Sequence, residues 1–318
     1  MSNSLGGINL TVVAQDSLTT LLAEFPLVSK FTTNFGGEIA TRGETVKTRI
    51  ASAVDATDIG SSGYSASDVT STERAITLNK HKGFVMGFDD GEVAKGGYEM
   101  LRKTFVRPAA HSVSKAVLDD IFALVTPANF GTVGTAGVSY NGAIANWDAD
   151  AVADVSQTLT DKNVPQAGRL LIVRPRLYTA LAKDNAIQAQ YASGTNAPLT
   201  ENLLPRIHGF EVNQYSALPY QGALKSDGTV NTLFNSMDDD LFGVAVSPEA
   251  FIIATRQPAV PSNWYGNVAS ATDEKSGLTV QVREWYDGDA GKQKISMSIL
   301  YGVAVGQSNC LGRIKITD

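Results

Sequence analysis

Apolar residues recur every four positions through the first half of the chain: Leu101, Phe105, Ala109, Val113, Val117, Ile121 and Val125. Tyr98, Val106, Leu118 and Phe122 widen that stripe on its flanks. This spacing predicts one long amphipathic helix from Asp89 to Thr126, with Asp89 and Asp90 at its start and Thr126-Pro127 at its end. At 1.5 Å per residue it would be about 55 Å long. A compact globule of this chain length has a diameter of about 50 Å. Either the helix bends or the protein is a flat, extended plate. Gly96, Gly97 and Pro108 are the expected bend points, because Pro108 removes a backbone donor and crowds the carbonyl of Thr104.

Before that helix the period is two. Thr45–Ile50 and Arg74–Lys80 each alternate as strands, and Ala51–Ser71 between them is dominated by Ser, Thr, Asp, Gly and Ala. A two-stranded ribbon with such a tip is marginal in water unless it lies on something. It is either a surface loop or an arm across a neighbouring subunit, and in the second case Val46, Arg49, Ile50, Arg74, Ile76 and Leu78 are its candidate contacts. Residues 1–35 read as an N-terminal arm, with Leu18, Leu21, Leu22 and Phe25 at helical spacing and Pro26 as the stop.

After a Gly-rich connector the pattern alternates between helix and strand. Asp148 caps a helix carrying Val152, Val155 and Leu159, and Trp147 with Val152 forms a hydrophobic staple. Leu170–Val173 is a buried strand, and Pro175 opens a helix that turns Leu177, Tyr178 and Leu181 inward. Phe210–Tyr215, Leu241–Val246 and Phe251–Ala254 are further strands, so 146–256 reads as an α/β domain. The remainder, 257–318, is β: Leu278–Val282, a turn at Asp287–Gly291, then a long strand through Ile295, Met297, Ile299, Tyr301, Val303 and Val305. The economical architecture is α+β, with the long helix lying on a long β-sheet and the α/β domain inserted between them. Its expected parts are an arm (1–35), an extended loop (36–88), a peripheral domain (89–145 and 257–318) and an inserted domain (146–256).

Composition narrows the chemistry. A chain of 318 residues with 43% hydrophobic and 18% charged content supports a real core, and 29 glycines suit either a surface covered by neighbours or a loop-rich β protein. One cysteine, Cys310, excludes an internal disulfide framework and a multi-Cys metal site. The expected character of Cys310 is a small buried hydrophobe. No basic segment precedes the first apolar residues, so no secretory signal is expected, and no window approaches a membrane span. The net charge of −6 argues against clamping nucleic acid by counterion release. No catalytic, cofactor or metal constellation emerges. Gly288–Lys292 lacks the first glycine and the Ser or Thr of a phosphate loop. His81, His111 and His208 are widely separated, and Asp238–Asp240 reads as a solvated turn.

The order of parts resembles the major capsid protein of tailed double-stranded DNA bacteriophages, the Hong Kong 97-type fold. Arg169-Leu-Leu-Ile-Val-Arg-Pro175-x-Leu-Tyr178 looks like the strand-into-helix of its axial domain, as does His208-Gly-Phe-Glu-Val212 with Leu218-Pro219 following. Tyr286-Asp287, a turn, then Ile299-Leu-Tyr-Gly-Val303 resembles its peripheral strands. The resemblance covers essentially the whole chain, without the long N-terminal extension that some members use for scaffolding. It implies a non-enzymatic shell subunit, assembled as pentamers and hexamers around double-stranded DNA in the bacterial cytoplasm and carried in the virion. Scaffolding, portal and decoration proteins are the implied partners, with no membrane and no cofactor. An encapsulin-type compartment is the alternative on the same fold. A phage tail or adhesin protein, or a soluble enzyme, would be distinguished by particle size.

Overall fold

The structure, a computed structural model, describes residues 10–24, 26–51, 71–92, 98–131, 137–187, 204, 206–218, 241–262, 266–272 and 278–317. The chain forms two compact units. The first takes residues to Leu18, Thr33–Glu99 and Ile253–Ala304; the second takes Thr19–Thr32, Met100–Ile252 and Val305–Asp318.

The first unit is a six-stranded sheet. Strands β1 (Thr32–Ala40), β9 (Phe251–Pro258), β12 (Lys292–Val305), β11 (Thr279–Asp287) and β10 (Asn267–Thr272) are ordered β1-β9-β12-β11-β10. Strand β4 (Lys80–Asp89) also pairs with β12, antiparallel, from Asp89 opposite Lys292 to Lys80 opposite Tyr301. The expected long C-terminal strand is β12, of 14 residues. Alternation gives the sheet two faces. Met86, Phe88, Val280, Val282, Ile295 and Met297 are buried, whereas His81, Gly83, Val85 and Gly87 on the other face of β4 are exposed. The ribbon forms a separate two-stranded sheet, β2 (Thr45–Ala51) with β3 (Ser71–Thr77), in uninterrupted antiparallel register. Its tip, 52–70, lies outside the described residues.

The second unit holds a five-stranded mixed sheet ordered β5-β13-β8-β6-β7, built from Val138–Gly142, Leu311–Ile316, Leu241–Val246, Leu170–Val173 and Glu211–Gln214 respectively. Pairs β6–β7 and β13–β5 are parallel; β6–β8 and β13–β8 are antiparallel. All four residues of β6 and all six of β13 are buried, as strands covered on both faces require. The α-helices described from end to end are α1 (Leu10–Glu24), α2 (Tyr98–Phe122), α3 (Pro127–Phe130), α4 (Ala149–Asp161) and α5 (Pro175–Ala182). Asp148 caps α4 through the N–H of Ala151 at 2.9 Å, as expected, and Trp147 and Val152 are both buried. Arg169 is buried beneath the last turn of α4. Its guanidinium donates to the carbonyls of Ser156, Val164 and Pro165 and to the hydroxyls of Ser156 and Thr160. A cation at a helix C-terminus is favoured by the orphaned carbonyls there.

The structure adds a strand and reassigns others. Residues 80–89 are spent on strand β4, 90–92 are helical, 93–97 lie outside the described residues, and the described part of the long helix is Tyr98–Phe122. Asp89 does cap a turn: its carboxylate accepts from the N–H of Glu92 at 2.7 Å, and Glu92 accepts in return from Asp89 at 3.2 Å. Phe251–Ala254 is a strand, yet it joins the six-stranded sheet, while β5 and β13 join the five-stranded one. Helix α2 runs unbroken through Pro108, which is exposed. Its stripe is buried at Ala109, Val113, Val117, Leu118, Ile121 and Phe122, and the buried run goes on to Val125 just past its end. Phe122 packs on Tyr215 at 5.2 Å and edge-on to Phe31 at 6.4 Å between ring centroids. The Tyr215 hydroxyl donates to Asp119 at 2.9 Å, fixing the helix to the segment after β7.

Candidate assembly surfaces

The ribbon is anchored at its base. The carbonyl of Leu78 accepts from the N–H of Gly43 and the N–H of Leu78 donates to Glu44, both at 2.8 Å; Arg42 Nε donates to the carbonyl of Asn79 at 3.0 Å. Gly43 has φ of 101°, a conformation glycine adopts without strain. The hydroxyl of Thr41 donates to Glu44 at 2.7 Å and holds that carboxyl below its usual range. Beyond the base, Lys47 pairs with Glu73 at 2.8 Å across the strands, and that bond raises the lysine's affinity for its proton. Both side chains are exposed, so the pair adds little to stability.

The candidate contacts divide. Val46 is half-buried and Arg74 exposed, while Arg49 and Ile50 are placed in β2 by their backbone alone. Ile76 and Leu78 are 1% and 0% exposed within their own chain. Within their own chain those two anchor the base of the ribbon. Thr77 and Ile76 cross β12 at Gly302, where a Cβ would lie 2.3 Å from the Thr77 carbonyl oxygen. Of the bend points, Pro108 sits inside α2, and Gly96 and Gly97 lie outside the described residues.

Sequence pattern alone missed the open face of β4. His81, Gly83, Val85, Arg283, Ser296 and Ser298 line a groove of about 220 Å³. Desolvation, then the charges of Arg283 and Arg42, hold His81 below the usual histidine range. The missed signal was Phe84-x-Met86-x-Phe88, whose period of two marks a strand. In the second unit a cleft of about 460 Å³ is lined by His111, Lys115, Pro175, Gln214, Tyr215 and Ser216. Lys115 reaches Asp119 at 3.0 Å there, and burial followed by the Asp119 charge raises the Tyr215 hydroxyl.

No nucleophile, base and oxyanion donors converge in either depression. Among the described residues no three His, Cys, Asp or Glu side chains are grouped to hold a metal ion, and no helix is long and apolar enough to cross a membrane. Cys310 is buried, and burial followed by the charge of Glu249 pushes its thiol up to about 11, so it is no nucleophile. The residues Gly288–Lys292 form the turn between β11 and β12 and the first position of β12.

No protein-family model matches the chain, and no curated protein does. Solved structures do. The capsid of the cyanophage P-SCSP1u aligns at a TM-score of 0.60 with 12% identity over 91% of this chain and 87% of its own. The mature capsid of bacteriophage PhiM1 gives 0.56 and 12% over 91% and 88%. A virus-like particle from Pyrococcus furiosus gives 0.50 and 10% over 96% and 98%. With both units spanned in each alignment, the chain has the Hong Kong 97-type fold shared by the capsid proteins of tailed phages.

Proposed function

We propose that the chain is the major capsid protein of a tailed phage, the repeating subunit of an icosahedral shell that encloses double-stranded DNA. The observation that carries this reading is the whole-chain alignment with phage capsid subunits, in which neither side has a large unmatched part. The two-stranded ribbon supports it: Lys47, Arg74 and Thr77 are exposed on a sheet of two strands that pairs with neither of the larger sheets. On this reading 36–88 overlaps a neighbour through Val46, Arg49, Ile50 and Arg74, 146–256 gathers around the five-fold and six-fold axes, and 89–145 with 257–318 forms the rim. Gly96, Gly97 and Pro108 serve as bend points when the shell changes shape. Many modest contacts per subunit add by multivalency and close on themselves. The shell is assembled in the bacterial cytoplasm with scaffolding and portal proteins, carries no catalysis and ends in the virion.

The purified chain is expected to elute as megadalton particles that appear as closed shells by electron microscopy. Deleting Val54–Ser67 should leave soluble protein with few or no shells; normal particles from that deletion would contradict the ribbon's role, and a wild-type monomer would contradict the whole reading. The Pyrococcus furiosus particle favours an encapsulin-type compartment as the second reading. Nuclease-protected DNA inside particles from infected cells supports the first; a co-purifying cargo protein in its place supports the second.

A further inference from the structure

We propose that the turn between β11 and β12 is a plug, with Asp289 of one copy seated in the His81–Arg283 groove on the sheet of the next copy. This contact rests on the shell reading and names one interface within it.

The two ends of a single sheet carry the inference. At one end β4 opens with Lys80-His81-Lys82, and Arg42 and Arg283 stand near enough to His81 to act on it electrostatically. Arg283 is held in place there, its Nε donating to Gln281 at 2.7 Å and a terminal nitrogen to the carbonyl of Ala259 at 3.2 Å. The groove floor is backbone. Gly83 faces Ser298, and a Cβ on it would lie 2.5 Å from the Met297 carbonyl oxygen. Ser296 and Ser298 line the floor with hydroxyl donors, and Val85 stands beside it 58% exposed. At about 220 Å³ the groove is smaller than the ~300–1,000 Å³ of small-molecule sites, but it admits the apex of a tight turn.

The opposite end is acidic. Asp89 and Asp90 end β4 and follow it, Glu92 comes next, and Asp287 and Asp289 bracket the turn. Lys294 engages Asp287, and the Tyr286 hydroxyl donates to Asp90 at 3.1 Å. Asp289 is exposed at the apex between Gly288 and Ala290, and a Cβ on Gly288 or Gly291 would meet nothing within 4 Å. The N–H of Ala290 donates to Asp287 at 3.3 Å, and Gly291 has φ of 59°, which closes the turn. The apex therefore presents one carboxylate on a narrow, preformed tip.

The register separates these groups. Lys292 pairs with Asp89, and Ser298 pairs with Gly83 six residues further along, a distance of about 20 Å. A hydrogen-bonded sheet cannot fold so as to bring its own tip to its own groove. Complementary charges fixed at opposite ends of one rigid body are matched head-to-tail between copies, the heterologous geometry from which rings and shells close.

Charge reversal tests the contact. Asp289→Lys and His81→Glu are each expected to lower the particle fraction at least about tenfold, and the two together to restore it to within about twofold of wild type. Thermal unfolding of the separate subunits checks that both exposed substitutions leave the fold intact. The pair Asp289→Cys and Val85→Cys should, on mild oxidation of assembled particles, give a ladder of covalent oligomers that neither single variant gives, because the two sites are too far apart to bridge within one chain. Wild-type particle yield from Asp289→Lys, or no recovery in the charge-reversed double and no ladder, overturns the plug while leaving the shell reading in place. A wild-type chain that stays monomeric overturns both.

Discussion

Gly302 and Cys310 show how single positions constrain the molecule. A side chain at 302 would strike both the Thr77 carbonyl and Ile76 Cγ2, so the anchored end of the ribbon depends on a missing Cβ. Cys310 depends on what surrounds it: it is 2% exposed, with Glu249 and Gln307 on its sulfur. With its thiol raised to about 11, the folded state holds a proton that the unfolded chain releases nearer 9. Stability from this source is complete below pH 9 and is lost as the pH rises through about 11. A thiol-reactive probe at pH 8 should therefore label native protein at least about a hundredfold more slowly than urea-unfolded protein. Equal rates would show an accessible thiolate. The buried, inert character of Cys310 was readable from its single occurrence; the role of Gly302 was not, because its clash partner lies more than two hundred residues away in sequence.

Elements defined by their own period were legible. Helices α4 and α5, strands β6 and β8, the first ribbon strand and the stripe of α2 from Ala109 onward stand where the pattern puts them, while the second ribbon strand runs Ser71–Thr77 and not 74–80. Strand β4 was hidden because Gly83, Gly87 and three basic residues dilute its alternation, and because Asp89 carries a real capping signal. Sheet membership was hidden for a different reason. Nothing local in Phe251–Pro258 or Leu311–Ile316 says which sheet it joins, since that depends on pairings across the chain. Helix α2 poses the element's own test. Pro108 leaves the carbonyl of Thr104 without its helical donor, yet the helix continues. Pro108→Ala should stabilise the unassembled subunit by about 1–3 kcal/mol, read as a rise of several degrees in its melting temperature. If Pro108 serves as a bend point, the same variant should also hinder the change in particle diameter. An unchanged melting temperature would mean that the helix is already fully accommodated to the proline.

At the scale of the molecule the governing number is the charge. Each copy carries −6, from 32 acidic against 26 basic residues, and a shell of such copies would face a polyanion. Proteins that grip double-stranded DNA neutralise several phosphates each, and their affinity then falls steeply with salt. Here several described cations are committed elsewhere: Arg169 to the end of α4, Lys30 to Glu211 at 3.1 Å, Lys47 to Glu73, Lys115 to Asp119 and Lys294 to Asp287. On the shell reading proposed above, this means containment without attachment, with copies bound to one another by local complementarity and the genome held by the wall they form. The purified subunit should thus leave a 200-base-pair duplex unshifted at 0.15 M salt and micromolar protein, and shell assembly should proceed equally well with or without DNA. A shift that weakened with salt at a slope of several phosphates, or shells that formed only when DNA was added, would reverse the order of events and make the nucleic acid the template on which the wall is laid.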